Sequence, residues 1–144
     1  MGHKRKRKKH RMTPDTAKLA DSAEKLRIGS YHRHVLLCIG DQCCSKKDGE
    51  AAWDALKSEL KETGLSPGTA ERACFRTKVG CLRVCRDGPI AVVYPEGTWY
   101  AGLTADRVPE FVRSHLLADQ PVEELIFARN PLPLVPPTPG VAPG

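Results

Sequence analysis

Four of the six cysteines in this 144-residue chain fall into two close pairs. Cys38 and Cys43 are spaced C-x4-C, with Cys44 directly after them. Cys81 and Cys85 are spaced C-x3-C, between Gly80 and Asp87-Gly88-Pro89. Close cysteines in a chain that shows no export signal more often hold metal than form disulfides. The reacting species is then the thiolate, which is both nucleophile and metal ligand.

Iron and zinc both take deprotonated sulfur, and spacing alone does not separate them. Short gaps let both sulfurs of a pair reach one ion, and the long segment between the pairs lets them converge in space. A [2Fe-2S] rhombus would take one pair at each iron, whereas zinc would take all four thiolates in one tetrahedron. Structural zinc loops more often use C-x2-C knuckles in modules too small to build a core. At 15.8 kDa and 40% hydrophobic residues this chain has a core of its own, which favours iron and sulfur.

The elements that must position these thiols are legible around them. Val35-Leu36-Leu37 is a short apolar run that reads as a buried strand ending at Cys38 and Gly40. Ser45 or Asp48 can cap a helix over 50–62, whose apolar positions Ala52, Trp53, Leu56 and Leu60 share one face and which Gly64 and Pro67 stop. Trp53 reads as core rather than as a cofactor platform. Residues 72–79 alternate as a strand does, with Cys74 on the Arg76 and Lys78 side as a buried structural thiol. Pro89 to Tyr94 is an apolar strand, and Pro95-Glu96-Gly97 turns it back into Thr98-Trp99-Tyr100.

A last helix begins between Thr104 and Pro109, with Val108, Phe111, Val112, His115 and Leu116 on one stripe. His115 on that stripe reads as a core residue, and His32 and His34 as structural rather than metal-binding. A weaker helical pattern runs from Pro14 to Ile28, with Thr13 or Asp15 as its cap. Each cysteine pair follows a strand directly. The order strand, helix, strand, strand, strand, helix implies an α/β fold, a mixed sheet of about four strands flanked by helices.

The net charge of +6 belongs to one end: residues 1–12 hold seven basic residues and no acid, so the rest of the chain carries −1. Such a block of like charge is expected to be a disordered, solvated tail. No aromatic residues are interleaved for stacking on bases, which makes nucleic acid an unlikely partner. No apolar run follows the charges as a signal peptide would require, and none approaches a membrane span. A cytoplasmic location, where thiols stay reduced, is therefore expected. Residues 13–33 read as a weakly helical lead-in, 34–128 as the folded domain and 129–144 as a Pro-rich extended tail.

Residues 35–127 resemble the thioredoxin-like [2Fe-2S] ferredoxins and the related small iron-sulfur subunit of NADH dehydrogenases. The resemblance is carried by Cys38-x4-Cys43, by Gly80-Cys81-x3-Cys85, and by Asp87-Gly88-Pro89 running into Val92-Val93-Tyr94-Pro95-Glu96-Gly97-x-Trp99-Tyr100, with Pro121 to Leu125 behind. It implies a thioredoxin-like fold and a [2Fe-2S] cluster bound by Cys38, Cys43, Cys81 and Cys85. It also implies a homodimer and an electron-carrying role toward a reductase or dehydrogenase, without enzyme chemistry of its own. Cys44 is the alternative to Cys43, although the C-x4-C spacing favours Cys43.

The basic residues Lys46, Lys47, Arg76, Lys78, Arg83 and Arg86 are expected to border the cluster, raising its potential and favouring an acidic partner face. Two other functions fit the same residues less well: a thiol-based redox sensor, which would lack the C-x2-C of thioredoxins, and a zinc-stabilised adaptor with a nucleic-acid-binding tail.

Overall fold

A computed structural model describes residues 13–66 and 72–133, and its sheet is built around the strand predicted at Val35-Leu36-Leu37. That strand, β1 (Tyr31–Cys38), lies beside β2 (Ala73–Val79) in parallel and beside β3 (Ile90–Tyr94) antiparallel. The hairpin continues into β4 (Thr98–Tyr100), and β5 (Ile126–Arg129) closes the order β2-β1-β3-β4-β5. The fifth strand is one more than expected. Its four residues are exposed or half-buried, so no apolar alternation marks it, and its pairing with β4 alone makes it a strand. The basic run 1–12, Pro67 and most of the proline-rich tail lie outside the described residues.

Helix α1 (Thr16–Lys25) is capped by Asp15, whose carboxylate accepts from the Lys18 N–H at 3.0 Å, and none of its residues is buried. Helix α2 (Lys46–Glu62) begins a turn earlier than expected because Ser45 is its cap, accepting from the Asp48 N–H at 3.1 Å. It buries Ala52, Leu56 and Leu60 against Val35, Leu37, Ala91 and Val93 of the sheet. Gly64 ends it at φ +75°, a left-handed conformation that glycine adopts without strain. Trp53 is half-buried against the core, with the Arg76 guanidinium 5.5 Å and the Lys78 ammonium 5.9 Å from its ring centroid.

The stripe predicted for the last helix is buried at all five positions, but the backbone is not one α-helix. A single turn, α3 (Val108–Phe111), gives way to a π turn at Val112–Leu117. Arg33 holds the end of this turn. Its Nη1 donates to the carbonyls of His115 and Leu116 at 3.3 and 3.1 Å, and its Nε donates to the Glu96 carboxylate at 3.1 Å. These are last-turn carbonyls, which have no partner within the helix, and a buried cation caps them.

His115 is 1% exposed and stands in a directed chain of hydrogen bonds. The Val122 N–H donates to the Tyr100 oxygen at 3.1 Å, the Tyr100 hydroxyl donates to His115 Nδ1 at 2.6 Å, and His115 Nε2–H donates to Glu96 at 2.9 Å. This order needs a neutral imidazole. Burial pushes the His115 pKa below its usual 6.5, against the opposing pull of Glu96, and burial lowers His34 as well. Below pH 6.5 the unfolded chain therefore takes up protons that the folded chain refuses, and stability falls as pH drops through that value. His115→Phe should cost about 1–3 kcal/mol by stranding the Tyr100 hydroxyl. It should also flatten, without abolishing, the decline in thermal midpoint between pH 7 and 5, because His34 still contributes.

Candidate metal centre

Both cysteine pairs leave the same end of the sheet because β1 and β2 run parallel, with Cys38 opposite Val79. The ladder extends one step into the loops, the Ile39 N–H donating to the Val79 carbonyl at 3.0 Å. The loops then touch. A Cβ on Gly40 would lie 2.0 Å from the Gly80 oxygen, so this contact requires glycine. The first loop closes on itself as the Cys43 and Cys44 N–H groups donate to the Gly40 carbonyl at 3.0 and 3.2 Å.

The second loop winds tightly between its two cysteines. Arg83, Cys85 and Asp87 all have positive φ, at 69°, 58° and 54°, a left-handed backbone that costs a non-glycine residue about 1–2 kcal/mol. The coil brings the Arg83 N–H to 3.2 Å from the Cys81 sulfur and sets the Cys81 and Cys85 sulfurs 4.0 Å apart. Gly88 joins this loop to the first through its N–H, which donates to the Cys43 carbonyl at 2.9 Å. The Asp87 carbonyl accepts from Gly102 at 2.7 Å, and the Pro89 carbonyl accepts from Leu103 at 3.0 Å, tying the loop down on its far side.

Cys38, Cys43, Cys81 and Cys85 line one cavity of about 110 Å³, together with Asp41, Gln42 and Gly80. Cys38 and Cys43 are buried, and Cys81 and Cys85 are exposed. Cys44 is absent from this lining. It lies against the start of α2, where a Cβ on Gly49 would come within 3.2 Å of its sulfur. Burial pushes the Cys43 thiol up to about 12, and burial also raises Cys44. Cys85 is raised chiefly by its hydrogen bond with Cys81. Without a metal these sulfurs therefore hold their protons, and a bound cation would displace them.

Cys74 is buried in the main core, its thiol pushed up to about 12 by desolvation, as a structural cysteine should be. His34 is held by the Thr77 hydroxyl at 2.8 Å, and no histidine lines the cavity. The expected basic border is only partly built. Arg83 and Arg86 project from the second loop, Arg86 paired with Asp87 at 2.8 Å, but Arg76 and Lys78 are turned onto Trp53 instead. The charged residue in the lining is Asp41. The alternation of 72–79 placed Arg76 and Lys78 on one face of the strand without showing that α2, rather than the cavity, covers that face. Gly40 and Gly88 were the other silent participants, since their role is an absence of side chain where two loops cross.

A mixed five-stranded sheet with α2 and α3 on one face, and four thiols gathered from loops at one end, define a thioredoxin-like metal-thiolate protein. No protein-family model matches the chain. Among curated proteins it is 30% identical over 105 residues to a 2Fe-2S ferredoxin of Aquifex aeolicus (strain VF5), covering 70% of this chain and 94% of that one. It is 52% identical over 95 residues to a 2Fe-2S ferredoxin of Clostridium pasteurianum, covering 64% and 92%. Among solved structures, a thioredoxin-like [2Fe-2S] ferredoxin from Aquifex aeolicus superposes with a TM-score of 0.59 at 26% identity, over 79% of this chain and 97% of that one. The chain belongs to the thioredoxin-like [2Fe-2S] ferredoxin family.

The loop crossing makes one position diagnostic. A Cβ on Gly88 would lie 2.2 Å from the Cys43 sulfur and 2.7 Å from its carbonyl oxygen, so Gly88→Ala must push the two loops apart. We expect a loss of about 1–3 kcal/mol, with iron lost more readily on dilution into chelator than from the parent protein. Gly64→Ala, remote from the cavity, should lower stability without changing iron retention.

Proposed function

We propose that this protein holds one [2Fe-2S] cluster on Cys38, Cys43, Cys81 and Cys85 and passes single electrons to and from a redox enzyme. The observation that supports this most directly is the convergence of these four thiols on one surface cavity, with Cys44 turned aside. The cavity wall holds two pairs from two loops, a donor set suited to two irons, one pair to each. Bound, the cluster supplies a one-electron couple.

The chain's own residues do the rest. The buried pair Cys38 and Cys43 anchors the inner side, and the exposed pair Cys81 and Cys85 leaves the outer side near solvent, where a partner can approach. The Arg83 N–H on the Cys81 sulfur stabilises negative charge there and shifts the couple upward. Arg83, on the exposed second loop, puts positive charge on the outer side, which suits a partner with an acidic docking face. The protein supplies no substrate chemistry, and its thiols belong to the reducing cytoplasm. Among the described residues no helix is long and apolar enough to cross a membrane.

Strand alternation points Leu36 and Trp99, both half-buried, to the sheet face opposite α2, over the fully buried Val92. Phe127 stands edge-on to Trp99 with centroids 6.3 Å apart, and is 48% exposed. An apolar face of this kind supports a homodimer. Phe127→Glu should then halve the mass in sedimentation and leave the cluster spectrum intact, and an unchanged mass would refute this interface.

Iron and acid-labile sulfide should each approach two per chain, and the reduced protein should give the electron paramagnetic resonance signal of a [2Fe-2S]⁺ cluster. Serine at Cys38, Cys43, Cys81 or Cys85 should shift or abolish that signal, while Cys44→Ser should leave it in place. A signal lost with Cys44 and kept without Cys43 would overturn the assignment. Zinc in place of iron after anaerobic purification would overturn the function.

A further inference from the structure

A second cavity, of about 330 Å³, lies away from the cysteines, along the outer edge of β2 at the start of that strand. It is within the size range of small-ligand sites. One wall is Tyr31 stacked on Phe75, with ring centroids 5.2 Å apart and planes at 18°. Trp53, on α2, also lines it. Lys25 and Arg27, at the end of α1, and Arg76, on β2, supply positive charge, and among the described residues none in the lining is acidic.

Arg76 is held as a binding group would be. Its Nη1 donates to the Ser66 hydroxyl at 3.0 Å, and its guanidinium lies over the Trp53 ring. Its Nε is buried and has no acceptor among the described residues. A buried donor left unmade is costly, and a guanidinium has a second edge, Nη1 with Nη2, that matches a carboxylate in two parallel hydrogen bonds. Lys25 is paired with Asp21 at 2.8 Å, but Arg27 and Arg76 enter none of the ion pairs among the described residues.

We propose that this cleft binds a small organic anion with a carboxylate head on a flat apolar body, the head on Arg76 and the body against the aromatic lining. Aromatic walls alone would accept a neutral molecule, and surface cations alone would accept any anion. The two together select for both properties. The cleft shares no lining residue with the cysteine cavity, so binding here is separate from holding the cluster.

Calorimetric titration of the full-length, cluster-loaded protein with benzoate, benzamide and inorganic phosphate tests this. Benzoate should bind saturably and move the Trp53 indole resonance, while benzamide and phosphate should bind at least about tenfold more weakly. Arg76→Gln should weaken benzoate by about tenfold or more, and Arg76→Lys should fall between, since it keeps the charge and loses the fork. Lys61→Gln, an exposed charge elsewhere on α2, should change nothing. Iron content and cluster spectrum should match the parent in every variant, which shows that the fold is retained. Failure of benzoate to bind, equal binding of benzamide or phosphate, or indifference to Arg76→Gln would each overturn the proposal.

Discussion

Everything distinctive about this molecule depends on the close approach of two backbones, at Gly40 and Gly80, where the parallel strands β1 and β2 release their chains. With a Cβ at Gly40 only 2.0 Å from the Gly80 oxygen, any larger residue would hold the loops apart, and the four sulfurs would not share a cavity. The parallel pairing is what delivers both cysteine pairs to one end of the sheet. Parallel neighbours in turn require a crossover, and α2 is that crossover, so the core beneath the sheet exists partly to let the loops meet above its end.

The two ends of the sheet are specialised differently. At the cysteine end, polar backbone groups crowd around sulfur and three non-glycine residues accept a left-handed backbone. Strain of this kind persists only where surrounding hydrogen bonds over-determine it, and the bonds from Gly88, Gly102 and Leu103 do so here. At the other end Glu96 of the β3–β4 turn accepts from a buried cation, Arg33, and from a neutral histidine, His115, which in turn accepts from Tyr100. Every polar atom of His115 is satisfied in one protonation state, and that state is fixed by geometry as much as by burial.

Charge is distributed with the same economy. Arg76 and Lys78 could have faced the cysteines, but Trp53 takes them instead, leaving Asp41 in the cavity lining and Arg83 and Arg86 on the exposed loop. The cleft edged by Trp53 thereby acquires the positive character that the cavity itself lacks.

Much of this was written in the residues. The spacing of Cys38 and Cys43, and of Cys81 and Cys85, each directly after an apolar run, specified a thiolate site at strand ends. The alternation of 72–79 and the stripe from Val108 to Leu116 specified which side chains would be buried, because periodicity is a local property. Tertiary structure alone decided the rest, because it depends on groups distant in sequence. Arg33 caps the end of the π turn from 82 and 83 residues away, and β5 becomes a strand only by pairing with β4. Arg76 and Lys78 turn from the cavity because α2 presents Trp53 to them. That Cys43 lines the cavity and Cys44, adjacent and chemically identical, does not follows from the space that Gly88 leaves for one sulfur and the wall that Gly49 offers the other.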